Sequence, residues 1–164
     1  MGLTCQVFTK EPIDFKPSIE IVGCFCAFKN RLLYLKRYPN SPQGNTWGIP
    51  SGKMEKGESV IEGVIREVKE EVAINLSQED LLRVGKLYCR LPHIDYVYHL
   101  FAKSFLEEPE INLALNEHLE FRWVTVEEAH QLPLIAGGAD VLNFYSETIG
   151  KTMGLEVFYR GKNF

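Results

Sequence analysis

Residues 52–74 read GKMEKGESVIEGVIREVKEEVAI. Placed on a helix at about 100° per residue, Ile61, Val64, Ile65, Val68 and Val72 fall in one narrow stripe. That is the core face of an amphipathic helix predicted over 58–72. Glu67 and Glu71 fall together on the flank of the stripe, and Glu70 lies one step further round. Like charges four apart on a helix destabilise it by a few tenths of a kcal/mol, so the stacking needs a reason. A solvated acidic face is one reading. The other is a hard divalent cation, which takes carboxylates, carbonyls and water as ligands and turns the repulsion into binding. The second reading is favoured because Glu67 and Glu71 lie beside the core stripe, where a strand or loop packs. On the opposite flank Glu62 and Arg66, four apart, are predicted to pair.

The segment before the helix, IPSGKMEKGES, is too rich in Gly and Pro to be a regular element. It reads as a loop that presents backbone carbonyls and sets the helix N-terminus nearby, where Glu58 is electrostatically favourable. Upstream, SIEIVGCFCAF and RLLYLKR are strand-like runs joined by a tight turn at Lys29-Asn30. Downstream, RVGKLYCRL and DYVYHLFAKSF read as strands joined at PHI, and EFRWVTV as a further strand. Thr125 and Glu128 form a capping box that opens a short helix. A last helix is predicted over 139–149, with residues 151–164 as a tail that is either a strand or disordered. Residues 1–17 form an N-terminal arm with room for a short edge strand. Strands dominate and helices are irregularly interspersed, which points to an α/β protein with a mixed sheet covered by helices. No repeat or linker divides residues 1–164, so one domain is expected.

Composition bounds the partners. The chain has 164 residues, 45 % of them hydrophobic, enough for a substantial core. A net charge of −4 gives no footprint for bulk nucleic-acid binding. No apolar run reaches the ~18 residues of a membrane span. Cys5, Cys24, Cys26 and Cys89 show no metal-ligand spacing. Cys24 and Cys26 alternate along a strand as small core residues, and a reducing, cytoplasmic setting fits.

The 52–74 pattern resembles the Nudix hydrolase signature of MutT-like proteins. Gly52, Glu58, Arg66-Glu67, Val68, Glu70-Glu71, Val72 and Ile74 occupy its defined positions, and Ala73 stands where the family has glycine. A glycine there permits a positive φ at the helix end; alanine costs about 1 kcal/mol in that conformation. WGIPSG and EHLEFRWVTVEEA resemble flanking segments of the same family, so the similarity spans most of residues 19–147. The resemblance implies a Nudix-type α/β/α sandwich around a mixed sheet. It also implies hydrolysis of a pyrophosphate bond in a nucleoside diphosphate linked to another group, with Mg²⁺ or Mn²⁺ as cofactor. Carried over by position, Glu67, Glu70 and Glu71 and the Ser51 carbonyl are implied metal ligands, and Arg66 orients the carboxylates through Glu58.

The general base is left open among Glu67, Glu120 and His118. Lys36, Arg37 and Arg90 are candidate phosphate contacts, and Trp47, Tyr96 or Tyr98 candidate stacking partners for a base. The substrate is a nucleotide-type small molecule; nucleoside triphosphates and nucleotide sugars both stay open, and so does a homodimer. Two rival readings are an inactive nucleotide-binding module and an isoprenoid-diphosphate isomerase of the same fold. The intact glutamates at 67, 70 and 71 argue against both.

Overall fold

The structure, a computed structural model, describes residues 2–160. Its elements in chain order are β1 (Gln6–Phe8), β2 (Pro17–Phe28), β3 (Arg31–Arg37), β4 (Trp47–Gly48), β5 (Ser51–Lys53), α1 (Val60–Val72), β6 (Leu82–Leu91), β7 (Ile94–Phe105), β8 (His118–Val124), α2 (Val126–Gln131) and α3 (Gly138–Arg160). A short 3-10 turn, Gln78–Asp80, precedes β6.

The alternation of β2 explains the layering. Val22, Cys24 and Cys26 point to one face and pack with Val64, Val68 and Val72 of α1. Ile19, Ile21, Phe25 and Ala27 point to the other, with Val141, Leu142, Tyr145 and Ile149 of α3. A period of two along the strand therefore feeds two cores, and the sheet is sandwiched between α1 and α3. Phe25 and Tyr145 stack with ring centroids 4.2 Å apart, fixing α3 on its face.

The sheet is mixed, in the order β1-β6-β7-β2-β3-β4. β2 and β7 run parallel over their whole length, from Pro17↔Asp95 to Phe28↔Phe105. The other edge of β2 is shared. β5 pairs with Ile21–Gly23, whereas β3 pairs only with Ala27 and Phe28 before turning away to join β4 and β8. That splay between β2 and β3 opens the interior of the molecule beside β5.

Most predicted elements form, and four details differ from expectation. Helix α1 starts at Val60, because Ser59 caps it in a capping box with Glu62. Glu62 is thereby committed to the Ser59 backbone N–H at 2.8 Å, and the predicted Glu62–Arg66 pair does not form. The buried face of α1 is also rotated: Ile61 and Ile65 are half-buried, while Glu67 and Glu71 are buried with Val64, Val68 and Val72. Finally, the predicted last helix does not stop at 149; α3 runs on to Arg160 through much of the predicted tail, whose residues 161–164 lie outside the described ones. Among the described residues no helix is long and apolar enough to cross a membrane.

The C-terminus of α1 follows the sequence reading. Ala73 adopts φ 59° and ψ 31°, the left-handed conformation, and its N–H bonds the Lys69 carbonyl at 3.0 Å.

Candidate active site

Three segments meet at the splay: the carboxylate face of α1, strand β5, and the loop entering β8. Strand β5 crosses α1 at close range. The Gly23↔Ser51 pair lies between the bonds from Cys24 N–H to the Pro50 carbonyl and from Met54 N–H to the Glu20 carbonyl. In an antiparallel ladder this alternation turns the N–H and C=O of Ser51 away from β2. The Ser51 N–H donates to Glu71 Oε2 at 3.0 Å. One residue on, a Cβ at Gly52 would lie 2.1 Å from the Glu67 carboxylate carbon. The lack of a side chain there lets Glu67 lie flat against the strand.

Arg66 organises the carboxylates. Its Nε donates to Glu58 Oε1 at 2.6 Å and its Nη2 to Glu58 Oε2 at 3.1 Å. Nη2 also donates to the Lys53 carbonyl at 3.0 Å, and Nη1 bridges Glu67 at 2.8 Å and Glu70 at 3.1 Å. The rigid guanidinium fork thus ties the loop, the helix start and two helix carboxylates into one body. It holds the Glu58 carboxyl below its ordinary pKa.

Glu67 and Glu71 are only 9 % and 4 % exposed. Burial pushes Glu71 well above the usual carboxylate range; the Ser51 N–H opposes this, and repulsion from Glu67 and Glu117 adds to it. Burial likewise raises Glu67 against the pull of Arg66. Glu70 is exposed at the rim.

The third segment closes the site. Ala114 N–H donates to the Glu71 carbonyl at 2.8 Å, and Glu117 and His118 N–H both donate to the Ala114 carbonyl at 3.0 Å. The Tyr38 hydroxyl donates to the Leu115 carbonyl. This turn brings ligand atoms of Glu71, Glu117 and His118 within 4.8 Å of one another. His118 is buried with its Nδ1 unpaired, and burial together with Arg37 pushes its pKa down to about 4.

The remaining candidates separate. Arg37 borders the cleft, its Nε held by the Pro42 carbonyl at 2.8 Å. Glu120 does not join the helix carboxylates. It pairs with Lys36 at 3.6 Å and Arg122 at 3.5 Å and borders a separate depression with Leu115, Leu119 and Phe121. Lys36 is accordingly drawn to Glu120 and to the Trp47 ring, 5.9 Å from its centroid. Arg90 is engaged by Asp95 at 2.8 Å and Asp14 at 3.4 Å and does not line the cleft. The acid that the sequence reading missed is Glu117. Its available signal was adjacency to His118 at the start of a predicted strand.

Beside the carboxylates lies a cavity of about 170 Å³ walled by Ile19, Ile21, Tyr34, Trp47, Tyr96 and Tyr98. Trp47 is buried, so it serves as wall rather than as an exposed stacking platform. Arg37, Ser51, Glu71 and His118 border both the cavity and the acidic cleft.

Residues 17–144 match the NUDIX domain family model. The chain belongs to the Nudix hydrolase family. Members of this family are pyrophosphohydrolases acting on acid anhydrides, nucleoside diphosphate derivatives in general. The chain is 28 % identical over 138 residues to the uncharacterized Nudix hydrolase YvcI of Bacillus subtilis (strain 168), covering 82 % of this chain and 83 % of that protein. It is 25 % identical over 131 residues to the CTP pyrophosphohydrolase of Escherichia coli (strain K12), covering 77 % and 90 %. The crystal structure of a MutT protein from Methanosarcina mazei Go1 superposes with a TM-score of 0.68 at 26 % identity, covering 84 % and 96 %. Nudix hydrolases generally use divalent metals, and Glu71, Glu117 and His118 form a group whose ligand atoms lie close enough to hold a metal ion.

Proposed function

We propose that this Nudix chain, acting as one domain, hydrolyses a pyrophosphate bond in a nucleoside diphosphate linked to another group, either a nucleoside triphosphate or a nucleotide sugar. The cation is Mg²⁺ or Mn²⁺. The observation that carries this reading is the shared border of an apolar, aromatic-walled cavity and a carboxylate cleft at Arg37, Ser51, Glu71 and His118. A nucleoside or other bulky group suits the first compartment and a diphosphate held through a cation suits the second.

The donor set fits the cation. Glu67, Glu70, Glu71 and the Ser51 carbonyl supply hard oxygen atoms, and Glu117 faces them from across the cleft. Burial raises both Glu67 and Glu71, with repulsion from Glu70 and Glu117 added at Glu67 and from Glu67 and Glu117 at Glu71, a penalty that a neighbouring positive charge relieves. When bound, the cation offsets the diphosphate charge and polarises the phosphorus under attack.

The residues then divide the work. Arg66 holds Glu67 and Glu70 in place. Arg37 offers positive charge where the two compartments meet. Glu117 is the proposed proton acceptor for the attacking water: Glu67 is engaged by Arg66, Glu71 by the Ser51 N–H, Glu120 lies elsewhere, and burial and Arg37 disfavour a proton on His118. The free thiols support a cytoplasmic setting, and the net negative charge speaks against bulk nucleic acid as a partner, in keeping with a nucleotide-type small molecule held in the cleft.

The test is a nucleotide-panel hydrolysis screen with Mg²⁺ and Mn²⁺, run beside Glu71→Gln. Chelation should abolish turnover. The variant should lose about 10²-fold or more in activity and require more metal. Full activity of Glu71→Gln at limiting Mg²⁺ overturns the reading.

A further inference from the structure

β8 bonds to β3 along one edge, and among the described residues no strand pairs with its other edge. An open edge carries a row of backbone donors and acceptors with no strand partner; in β8 one of the backbone carbonyls, that of Trp123, accepts from Arg31 Nη1 at 3.3 Å. Here the apolar side chains on one of its faces are also partly open: Leu119 is 43 % and Phe121 38 % exposed, with Leu115 at 65 % beside them. Ile111 and Leu113 continue this surface toward α1. The opposite face of β8 carries Glu120 and Arg122. Glu120 makes only long contacts, 3.6 Å to Lys36 and 3.5 Å to Arg122.

We propose that β8 is the pairing edge of a homodimer, in which two copies join antiparallel through residues 118–124 about a two-fold axis at Phe121. Symmetry and charge select this register. A two-fold axis perpendicular to a sheet keeps each face on its own side, so the axis must pass through a residue and not between two. Centred on Glu120 or on Arg122, the pairing would set like charges directly opposite, which is unfavourable. Centred on Leu119 or Trp123, it gives neither charge an opposite-signed partner. Centred on Phe121, it places Glu120 against the partner subunit's Arg122, and Arg122 against the partner subunit's Glu120. On the other face it sets Phe121 against its own copy and brings Leu119, which sits at the bulge between His118 and Glu120, near the partner subunit's Trp123. Opposite charges and apolar pairs on adjoining strands each stabilise the ladder. The strand begins at His118, so the new interface adjoins the turn that carries Glu117.

The test is sedimentation velocity on the full chain over a concentration series. The unmodified chain should sediment as a dimer that dissociates on dilution. Glu120→Arg alone and Arg122→Glu alone should each sediment as monomers, since each sets like charges opposite. An equimolar mixture of the two variants should recover the dimer, because every opposing pair is then of opposite sign. This recovery also shows that both variants are folded. A second measurement avoids the charged positions: Phe121→Cys brings two thiols to the axis, and oxidation by oxidised glutathione should give a covalent dimer linked through residue 121. An unmodified chain that is monomeric at every concentration, or a dimer that survives both single variants, overturns the proposal. So does a lack of linkage through residue 121.

Discussion

Gly52 and Glu67 touch so closely that a methyl group on the glycine would overlap the carboxylate, 2.1 Å from its carbon and 2.2 Å from each oxygen. The first glycine of the 52–74 pattern is therefore a spacer that allows a buried carboxylate to lie against a strand. Gly52→Ala should push Glu67 out of its contact with Arg66. Displacements on this scale reduce kcat by about 10²-fold. Steady-state kinetics at saturating Mg²⁺ checks this, and an unchanged kcat would show that Glu67 need not lie there.

Ala73 ends α1 in the left-handed conformation and is exposed, with little packing to lose. Ala73→Gly relieves the clash of Cβ with its own backbone, offset in part by the greater freedom of glycine in the unfolded chain. The expected net gain is up to ~1 kcal/mol, with hydrolysis unchanged. Urea denaturation measures it; a clear loss of stability contradicts the strain argument.

Glu117 and Glu120 are three residues apart and face different surroundings. Glu117→Gln should lower kcat by about 10²–10⁴-fold, as expected for loss of a general base. Glu120→Gln should keep the rate per site close to that of the unmodified chain. The reverse ranking would return the role to Glu120.

His118 titrates at about 4, below its ordinary 6.5, because burial and the positive charge of Arg37 disfavour the imidazolium. Between these values the unfolded chain binds a proton that the folded chain does not, so stability falls as pH drops through that window. His118→Asn removes this contribution. Thermal melts of the metal-free chain at about pH 7 and about pH 5 should therefore show a smaller fall in Tm for the variant. Glu67 and Glu71 titrate in both proteins, so the comparison isolates His118. An equal fall in both would show that His118 is not held neutral.

What the sequence alone determined is what depends on near neighbours along the chain. The 3.6-residue period of Val64, Val68 and Val72 set α1, and the two-residue alternation of Cys24 and Cys26 set β2 and the side they share. Spacing alone placed the Thr125–Glu128 capping box. The spacing of Gly52, Glu58, Arg66, Glu67, Glu70 and Glu71, read against a known pattern, pointed to the helix carboxylates and to the link from Arg66 to Glu58. The strain at Ala73 was legible for the same reason. Only the tertiary structure decided which distant groups meet. The β3–β8 register sets Lys36 opposite Glu120 and draws that acid out of the cleft. The β6–β7 hairpin binds Arg90 to Asp95. The turn anchored on the Glu71 carbonyl brings in Glu117 and His118. The burial of Glu67 and Glu71 likewise came from β5 crossing the helix. Helical and strand periods are written in adjacent side chains, whereas register and crossing depend on segments far apart in the chain, whose relative placement no local pattern encodes.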